Sequence, residues 1–95
     1  MVEVICTDEF EAWFDNLTTA ESGAVMNVVH VLEIAGINLG APYSSSIHGA
    51  KHALRELRPK QGRSPLRIIY AFDPRRDAVL LIGGSKSKDK KFYKR

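Results

Sequence analysis

The stretch LRIIYAFDPRRDAVLLI, residues 66–82, decides the fold of this chain of 95 residues. Apolar residues fill every second position from Leu66 to Phe72, which predicts a β-strand with one buried face. The residues DPRRD that follow predict a hairpin connection. Ala78–Ile82 is apolar at every position, so it predicts a central strand that is covered on both faces and ends at the glycine pair 83–84. The stretch as a whole predicts an antiparallel hairpin in the middle of a sheet.

Two amphipathic helices are predicted before this hairpin. The first follows an N-cap at Thr7 or Asp8 and has its apolar residues at helical spacing, namely Phe10, Trp13, Phe14 and Leu17. Thr18 and Glu21 have the spacing of a capping box that opens the second helix, and Gly36 stands where a C-cap glycine belongs. The buried stripe of this second helix is Val25, Val28, Val29 and Leu32. Two such helices joined at Thr18 predict an antiparallel helical hairpin.

The remaining segments complete one domain over residues 1–95, because neither half alone has enough apolar residues for a core. Val2–Cys6 and Ala53–Arg58 predict strands, and residues 37–50 predict a long loop with glycine, proline and three consecutive serines. The order β-α-α-β-β-β predicts an α+β fold. In this fold the two-helix hairpin packs on one face of a small, mostly antiparallel sheet.

The charges divide the chain into an acidic half and a basic half. Residues 1–50 contain seven acids and no Lys or Arg, whereas residues 51–95 contain fourteen bases and four acids. Such a division indicates a polyanionic partner for the second half. Because the bases alternate with strand-like apolar runs, we expect the positive surface to lie on a folded scaffold that holds phosphates in a fixed geometry.

Several sequence features favour a cytoplasmic protein without a membrane partner. Cys6 is the only cysteine, which excludes an internal disulfide and is compatible with a reducing compartment. No basic segment precedes the apolar residues Val2–Ile5, so no signal peptide is predicted. The longest apolar run, Ala78–Ile82, is far too short to span a membrane.

Three segments of the basic half resemble a known family. Leu54–Pro59, Gly62–Phe72 and Ile82–Lys86 are similar to the RelE/ParE superfamily of toxin–antitoxin toxins, and most similar to its HigB-like, phage-derived branch. The resemblance covers the whole chain by architecture and residues 49–93 by motif. It implies a ribosome-dependent endoribonuclease that cuts mRNA without a cofactor. It also implies a cognate antitoxin, usually a HigA-like helix-turn-helix protein, as a partner beside the ribosome and the mRNA.

The resemblance assigns four catalytic positions. Arg67 matches the arginine that begins the family's R-x-x-Y strand and contacts the scissile phosphate. Lys86 matches the basic residue after the strand-end glycine, and Arg58 matches the basic end of the preceding long strand. Tyr93 falls near the C-terminal tyrosine of the family as an acid, base or stacking residue. Members usually continue into a further helix, so the stop at Arg95 predicts that this helix is truncated or missing.

The chemistry of metal-free RNA cleavage suits these residue types. The 2′-OH is the nucleophile, and arginine stabilises the extra negative charge on the phosphorane through its planar, permanently charged fork. The remaining bases of this half are expected to contact RNA or the ribosome, namely Arg55, Lys60, Arg63, Lys88, Lys90 and Lys91. The plain alternative for Arg67, which alternation places opposite the apolar face of its strand, is a solvated strand arginine.

Other functional interpretations remain open or are disfavoured. His48 and His52 have the i, i+4 spacing of a helical metal site, but the serine-rich segment around them disfavours a helix and no metal is expected. Cys6 has no basic neighbour in the sequence and is expected to be a small buried hydrophobe. One rival function is a ParE-like toxin that inhibits gyrase, and a second is a non-catalytic module that binds RNA or the ribosome.

Overall fold

The computed structural model describes residues 1–49 and 52–86. Its helices and strands, in chain order, are β1 Val4–Cys6, α1 Asp8–Asp15, α2 Thr19–Ala35, β2 Ser44–Ser46, β3 Arg55–Leu57, β4 Leu66–Phe72 and β5 Ala78–Ser85. The strands form one sheet in the order β1-β5-β4-β3-β2. Strand β1 runs parallel to β5, and all other neighbouring strands are antiparallel. Two helices on a mostly antiparallel sheet confirm the predicted α+β fold.

Side chains at the N-termini of the two helices cap them as predicted. The Thr7 hydroxyl accepts a hydrogen bond from the Phe10 N–H at 3.1 Å and caps α1. At the start of α2, the Glu21 N–H donates to the Thr18 hydroxyl at 3.1 Å and the Thr18 N–H donates to the Glu21 carboxylate at 2.9 Å. This reciprocal pair is a capping box, which satisfies two backbone donors that a helix cannot satisfy itself.

The core lies between α2 and β4. The predicted stripe of α2 is buried, namely Val25, Val28, Val29 and Leu32. Alternate residues of β4 meet this stripe, namely Leu66, Ile68 and Tyr70. Burying an aliphatic or aromatic side chain of this size contributes about 1.5–3 kcal/mol. The two periodicities, 3.6 in the helix and 2 in the strand, therefore place these apolar side chains in one shared core.

Strand β2 corrects the prediction that residues 37–50 are all loop. Ser44–Ser46 pairs with β3 at the edge of the sheet, with Ser44 opposite Leu57. Ser44 is only 1% exposed, and its hydroxyl lies 2.6 Å from the Tyr70 hydroxyl. Three serines show no alternation of apolar and polar residues, so sequence periodicity does not predict this strand. Hydrogen bonds to residues distant in the sequence hold it instead.

Strand β5 is longer than predicted, because Gly83 and Gly84 continue the strand to Ser85. The reason is steric. A Cβ built on Gly83 would overlap the indole ring of Trp13, so the missing side chain lets α1 pack directly on the sheet.

A β-bulge interrupts the pairing of β4 with β5. Ile69 lies opposite Ile82 and Tyr70 lies opposite Leu80, which leaves Leu81 as an extra residue. The Thr7 hydroxyl lies 2.7 Å from the Leu81 carbonyl oxygen and 3.0 Å from that of Leu80. The side chain that caps α1 therefore also bonds both carbonyl groups of the bulge.

Within the described residues, Thr19–Asn38 is long and apolar enough to span a membrane by length and composition. Core helices of soluble proteins meet the same criterion. Val25 and Leu32 of this helix are fully buried in the domain. The compact fold thus supports a soluble protein.

Candidate functional site

The two faces of the sheet carry different charged residues. We call the face that contacts α1 and α2 the helix-side face, and the opposite one the outer face. In an antiparallel pair, residues opposite each other point to the same face. Arg55 lies opposite the core residue Tyr70 and is on the helix-side face, whereas Glu56 lies opposite Ile69 and is on the outer face. Arg67, two residues before Ile69 in β4, shares the outer face with Glu56.

Two arginines meet one carboxylate oxygen on the outer face. The Oε1 atom of Glu56 lies 2.8 Å from Nε of Arg67 and 3.1 Å from Nε of Arg58. The side chains of Glu56 and Arg67 are each 10% exposed, and that of Arg58 is 30% exposed. We call these three residues the outer-face charge cluster. It has one negative and two positive groups, so it keeps a net positive charge while its guanidinium groups are held in place.

Further contacts orient both guanidinium groups. Nη1 of Arg67 donates to the backbone carbonyls of Ser64 and Leu66. Nη2 of Arg58 donates to the Ser45 hydroxyl at 2.7 Å. The N–H on Nε of Arg67 does not point at the Glu56 oxygen, so that contact is an ion pair and not a hydrogen bond.

Arg67 is not the solvated strand arginine of the plain alternative, which is therefore wrong. The residue is 8% exposed. A guanidinium group buried to this extent needs a counter-ion, because removing its charge from water is costly. Glu56 supplies that counter-ion.

Lys86 lies at the same end of the sheet as Arg58 and Arg67. It directly follows β5, and its N–H donates to the Pro65 carbonyl at 2.9 Å. Gly84 lies opposite Arg67. Alternation from Gly84 places Lys86 on the outer face too. The fold thus places at one end of the outer face three residues that are separated by as many as 28 positions in the chain.

Comparison with known proteins gives the family. The family model of the phage-derived Gp49-like proteins matches residues 12–95. The chain belongs to this family of RelE/HigB-type toxins. It is 39% identical over 82 residues to the toxin candidate HigB2 of Mycobacterium tuberculosis. The aligned region covers 84% of this chain and 41% of HigB2. It is 36% identical over 92 residues to the toxin candidate HigB3 of the same organism, and that aligned region covers 95% of this chain and 79% of HigB3.

Solved structures show the same fold at low sequence identity. The toxin–antitoxin complex RelBE2 of M. tuberculosis contains a chain that matches with a TM-score of 0.69 at 15% identity. The match covers 88% of this chain and 96% of that one. This Gp49-like chain spans about two fifths of the length of HigB2.

Arg55 of this Gp49-like chain bonds inside the protein. Its Nε lies 3.2 Å from the Ser44 hydroxyl and 3.3 Å from the Tyr70 hydroxyl. Nη1 donates to the Ser46 hydroxyl at 3.0 Å, and Nη2 donates to the Leu39 carbonyl at 3.2 Å. We call Arg55 and these four partners the helix-side network. Contact of Arg55 with RNA stays a prediction, and these bonds favour a structural role.

The other residues predicted to contact RNA or the ribosome belong to two segments, the connection between β3 and β4 and the last residues of the chain. Lys60 and Arg63 are exposed in the connection between β3 and β4, close to the outer-face charge cluster in sequence. The remaining predicted positions lie outside the described residues, namely Lys88, Lys90, Lys91 and Tyr93.

Glu56 is the site residue that sequence reasoning missed. It is one of only four acids among the last 45 residues, and it stands between Arg55 and Arg58 on a predicted strand. An acid among bases on one face of a strand is a usable signal, because a cross-strand ion pair is a common reason for it. The partner of Glu56 on β4 was not recognisable, because it depends on the register of the two strands.

Other chemically active side chains stand apart from this cluster. Cys6 is exposed, so its expected role as a buried hydrophobe is wrong. Partial burial raises the pKa of the Cys6 thiol, and the Glu11 carboxylate raises it further, so the thiol is a weaker nucleophile than a free cysteine. His48 and His52 are exposed, and the described residues contain no group of three or more His, Cys, Asp or Glu side chains able to hold a metal ion.

Proposed function

We propose that this protein is the toxin of a type II toxin–antitoxin system and that it cleaves mRNA on the ribosome. The observation that carries the proposal is the outer-face charge cluster with Lys86 at the same end of the sheet. Fixed positive groups around one point are what a phosphate in a single-stranded RNA requires. Membership of the Gp49-like family supports the same function.

The proposed reaction is an attack by the 2′-OH on the adjacent phosphate. A bond forms between the 2′-oxygen and phosphorus, and the bond from phosphorus to the 5′-oxygen breaks. A base takes the proton of the 2′-OH, and an acid protonates the leaving 5′-oxygen. Arg67 and Arg58 stabilise the phosphorane, which carries more negative charge than the ground state. Lys86 adds a third cation, and Tyr93 is proposed as an acid, base or stacking residue.

Glu56 has an orienting role in this proposal. Its carboxylate accepts a hydrogen bond from Nε of Arg58 and forms an ion pair with Arg67, whose guanidinium group is directed by the Ser64 and Leu66 carbonyls. Catalysis by electrostatic stabilisation depends on groups that are already in place when charge develops, because reorienting them costs free energy. The ion cluster supplies such an arrangement before RNA binds.

The direct test is production of the chain in bacteria without an antitoxin. Growth should stop, and primer extension on a translated reporter mRNA should show new 5′ ends at codon-spaced positions. An untranslated copy of the same reporter is the matched control and should stay intact. Absence of new ends, together with altered DNA supercoiling, would instead support the ParE-like rival.

Binding to ribosomes should depend strongly on salt. If about six or more phosphates are neutralised, the affinity should fall roughly 10³-fold between 50 and 200 mM salt because condensed counterions are released. Pelleting of ribosomes with the protein over this salt range measures the effect. A flat response would show that the basic half does not meet the RNA backbone.

The proposed protein partner is a cognate antitoxin of the HigA-like, helix-turn-helix type in the cytoplasm. One solved structural neighbour is itself a toxin–antitoxin complex, which supports such a partner. Co-production with the protein encoded beside this gene should restore growth and yield a stable complex on gel filtration. A neighbouring protein that neither binds nor restores growth would contradict this assignment.

A further inference from the structure

The turn Pro59–Gly62 has an unusual backbone. Lys60 has φ 54° and ψ 36°, Gln61 has φ 57° and ψ 32°, and Gly62 has φ 89°. Three consecutive residues therefore have left-handed conformations, and two of them are not glycine. Residues with a Cβ adopt this region rarely because it costs free energy. Such residues are concentrated at functional sites, where surrounding contacts hold them.

Specific hydrogen bonds hold this turn against Tyr43. The Arg63 N–H and the Arg63 Nε both donate to the Lys60 carbonyl, at 3.1 and 3.3 Å. The Gln61 amide contacts the Tyr43 hydroxyl at 3.5 Å, and the Arg58 N–H donates to the Tyr43 carbonyl at 2.8 Å. The Arg63 bonds thus close the turn itself, and the Gln61 and Arg58 bonds hold it beside Tyr43.

These residues border a cleft of about 170 Å³ between the turn and α2. Drug-sized ligands occupy pockets of roughly 300–1,000 Å³, so this cleft suits a single ring system. Its lining combines an aromatic ring and two valines with two amides and two cations: Asn27, Val28, Val31, Tyr43, Lys60, Gln61 and Arg63. Apolar walls accept the face of a base, amides bond its edge, and cations hold the neighbouring phosphate.

The cleft and the outer-face charge cluster are joined by a short, bonded segment. Ser64 follows Arg63 directly, and its carbonyl accepts a hydrogen bond from Arg67. Pro65 comes next, and its carbonyl accepts the N–H of Lys86. This segment thus connects the cleft, which lies beside α2, to the outer-face charge cluster around the end of the sheet.

We propose that this cleft binds the base of an RNA nucleotide near the cleaved phosphate, with Tyr43 as the stacking surface and Gln61 and Asn27 bonding the base edge. The assignment rests on the proposed RNA-cleaving function. It explains why strain is retained in a turn that glycine would form more easily.

The binding test uses a single-stranded hexanucleotide with 2′-O-methyl groups, which the 2′-OH mechanism cannot cleave. Anisotropy at 50 mM salt should show weaker binding when one position of the oligonucleotide is abasic. Tyr43→Leu should weaken binding of the full oligonucleotide about 5- to 150-fold, as expected for a lost stacking contact, and Tyr43→Phe should retain it. Equal affinity for all single-abasic oligonucleotides would overturn the proposal.

A second comparison separates binding from folding. Lys60→Gly and Gln61→Gly relieve the left-handed strain, so their thermal midpoints should be unchanged or slightly raised while RNA affinity falls several-fold. Arg76→Gly is the matched control for Lys60→Gly, because Arg76 is also exposed with a positive φ of 66° but lies in the hairpin between β4 and β5. It should leave affinity nearly unchanged. Equal losses in Lys60→Gly and Arg76→Gly would reduce the cleft to general charge attraction.

Failure of this proposal is distinguishable from failure of the proposed function. If the wild-type chain cuts translated mRNA but binding is insensitive to abasic positions, only the cleft assignment falls. If the wild-type chain cuts no mRNA, primer extension reports that separately, and the hexanucleotide results then describe a binding module alone.

Discussion

The helix-side network and the outer-face charge cluster both contain an arginine from β3 or the residue directly after it, but they satisfy its charge in opposite ways. Arg55 donates only to neutral oxygens from hydroxyl groups and one backbone carbonyl. Arg58 and Arg67 share one charged oxygen of Glu56. The first arrangement joins the edge strand, the loop before it and β4 into one unit. The second fixes the direction of two guanidinium groups while leaving net positive charge, which is the property an anion site needs.

Removal of the shared anion should have the largest effect. Glu56→Gln keeps the shape but leaves two guanidinium groups without their carboxylate. The free energy of unfolding should fall by about 3 kcal/mol, the lower end of the range for broken buried pairs because Arg58 is partly solvated. Urea unfolding measures it. Glu9→Gln, at an exposed position of α1, is the control and should change stability by less than about 0.5 kcal/mol.

The next effect concerns catalysis on the outer face. Arg67→Ala should lower single-turnover mRNA cleavage about 100-fold or more per folded molecule, equivalent to about 2.7 kcal/mol of transition-state stabilisation. Arg67→Lys should restore part of it, because an ammonium group cannot form a two-pronged contact. Ribosome affinity should fall far less, since many bases share that task.

Arg55→Lys is the matched control for this catalytic comparison and should leave cleavage per folded molecule unchanged. Because Arg67 is buried and ion-paired, Arg67→Ala is also expected to destabilise the fold, so all rates are normalised to the folded fraction. Equal losses of cleavage and ribosome affinity would make Arg67 a docking residue instead.

Disruption of the helix-side network should affect stability alone. Arg55→Leu removes the donor to four oxygen atoms and should lower the free energy of unfolding by about 2 kcal/mol. Cleavage per folded molecule should stay within a factor of about two, a difference of roughly 0.4 kcal/mol. A large loss of cleavage in folded Arg55→Leu would show that the two faces are not functionally separate.

The smallest effect is expected from one hydroxyl group. Tyr70→Phe keeps the buried ring but removes one of the two partners of the Ser44 hydroxyl, so stability should fall by about 1 kcal/mol. A double-mutant cycle with Ser44→Ala isolates the pair. Additive losses in this cycle would show that the 2.6 Å contact contributes nothing of its own.

Regular periodicity explains which parts of the fold were predictable. The valines of α2 and the alternation in β4 depend on nearby residues, and the capping box at Thr18 depends on a spacing of three. Strand β2 was missed because its serines are held by Arg55 and Tyr70, which are distant in sequence. The end of β5 was misplaced because Gly83 serves the packing of Trp13 instead of a turn.

The candidate site was predictable only in part. The choice of Arg58, Arg67 and Lys86 came from resemblance to the toxin superfamily, since spacing alone does not unite them. The common location of these residues at one end of the outer face follows from strand register. The burial of Arg67 and its pairing with Glu56 were missed, because both require knowing which residues lie opposite each other.

The extra residue Leu81 determines which face of the sheet carries Lys86, the base that directly follows β5. Before it, even-numbered residues such as Leu80 point toward the helices, and after it the odd-numbered Gly83 does. A strand without the extra residue would keep one parity throughout and direct Lys86 toward α1. The hydroxyl of Thr7 bonds both carbonyls at this point. Thr7, at the start of the acidic half, thus helps to decide which face of the sheet carries Lys86, a cation of the basic half.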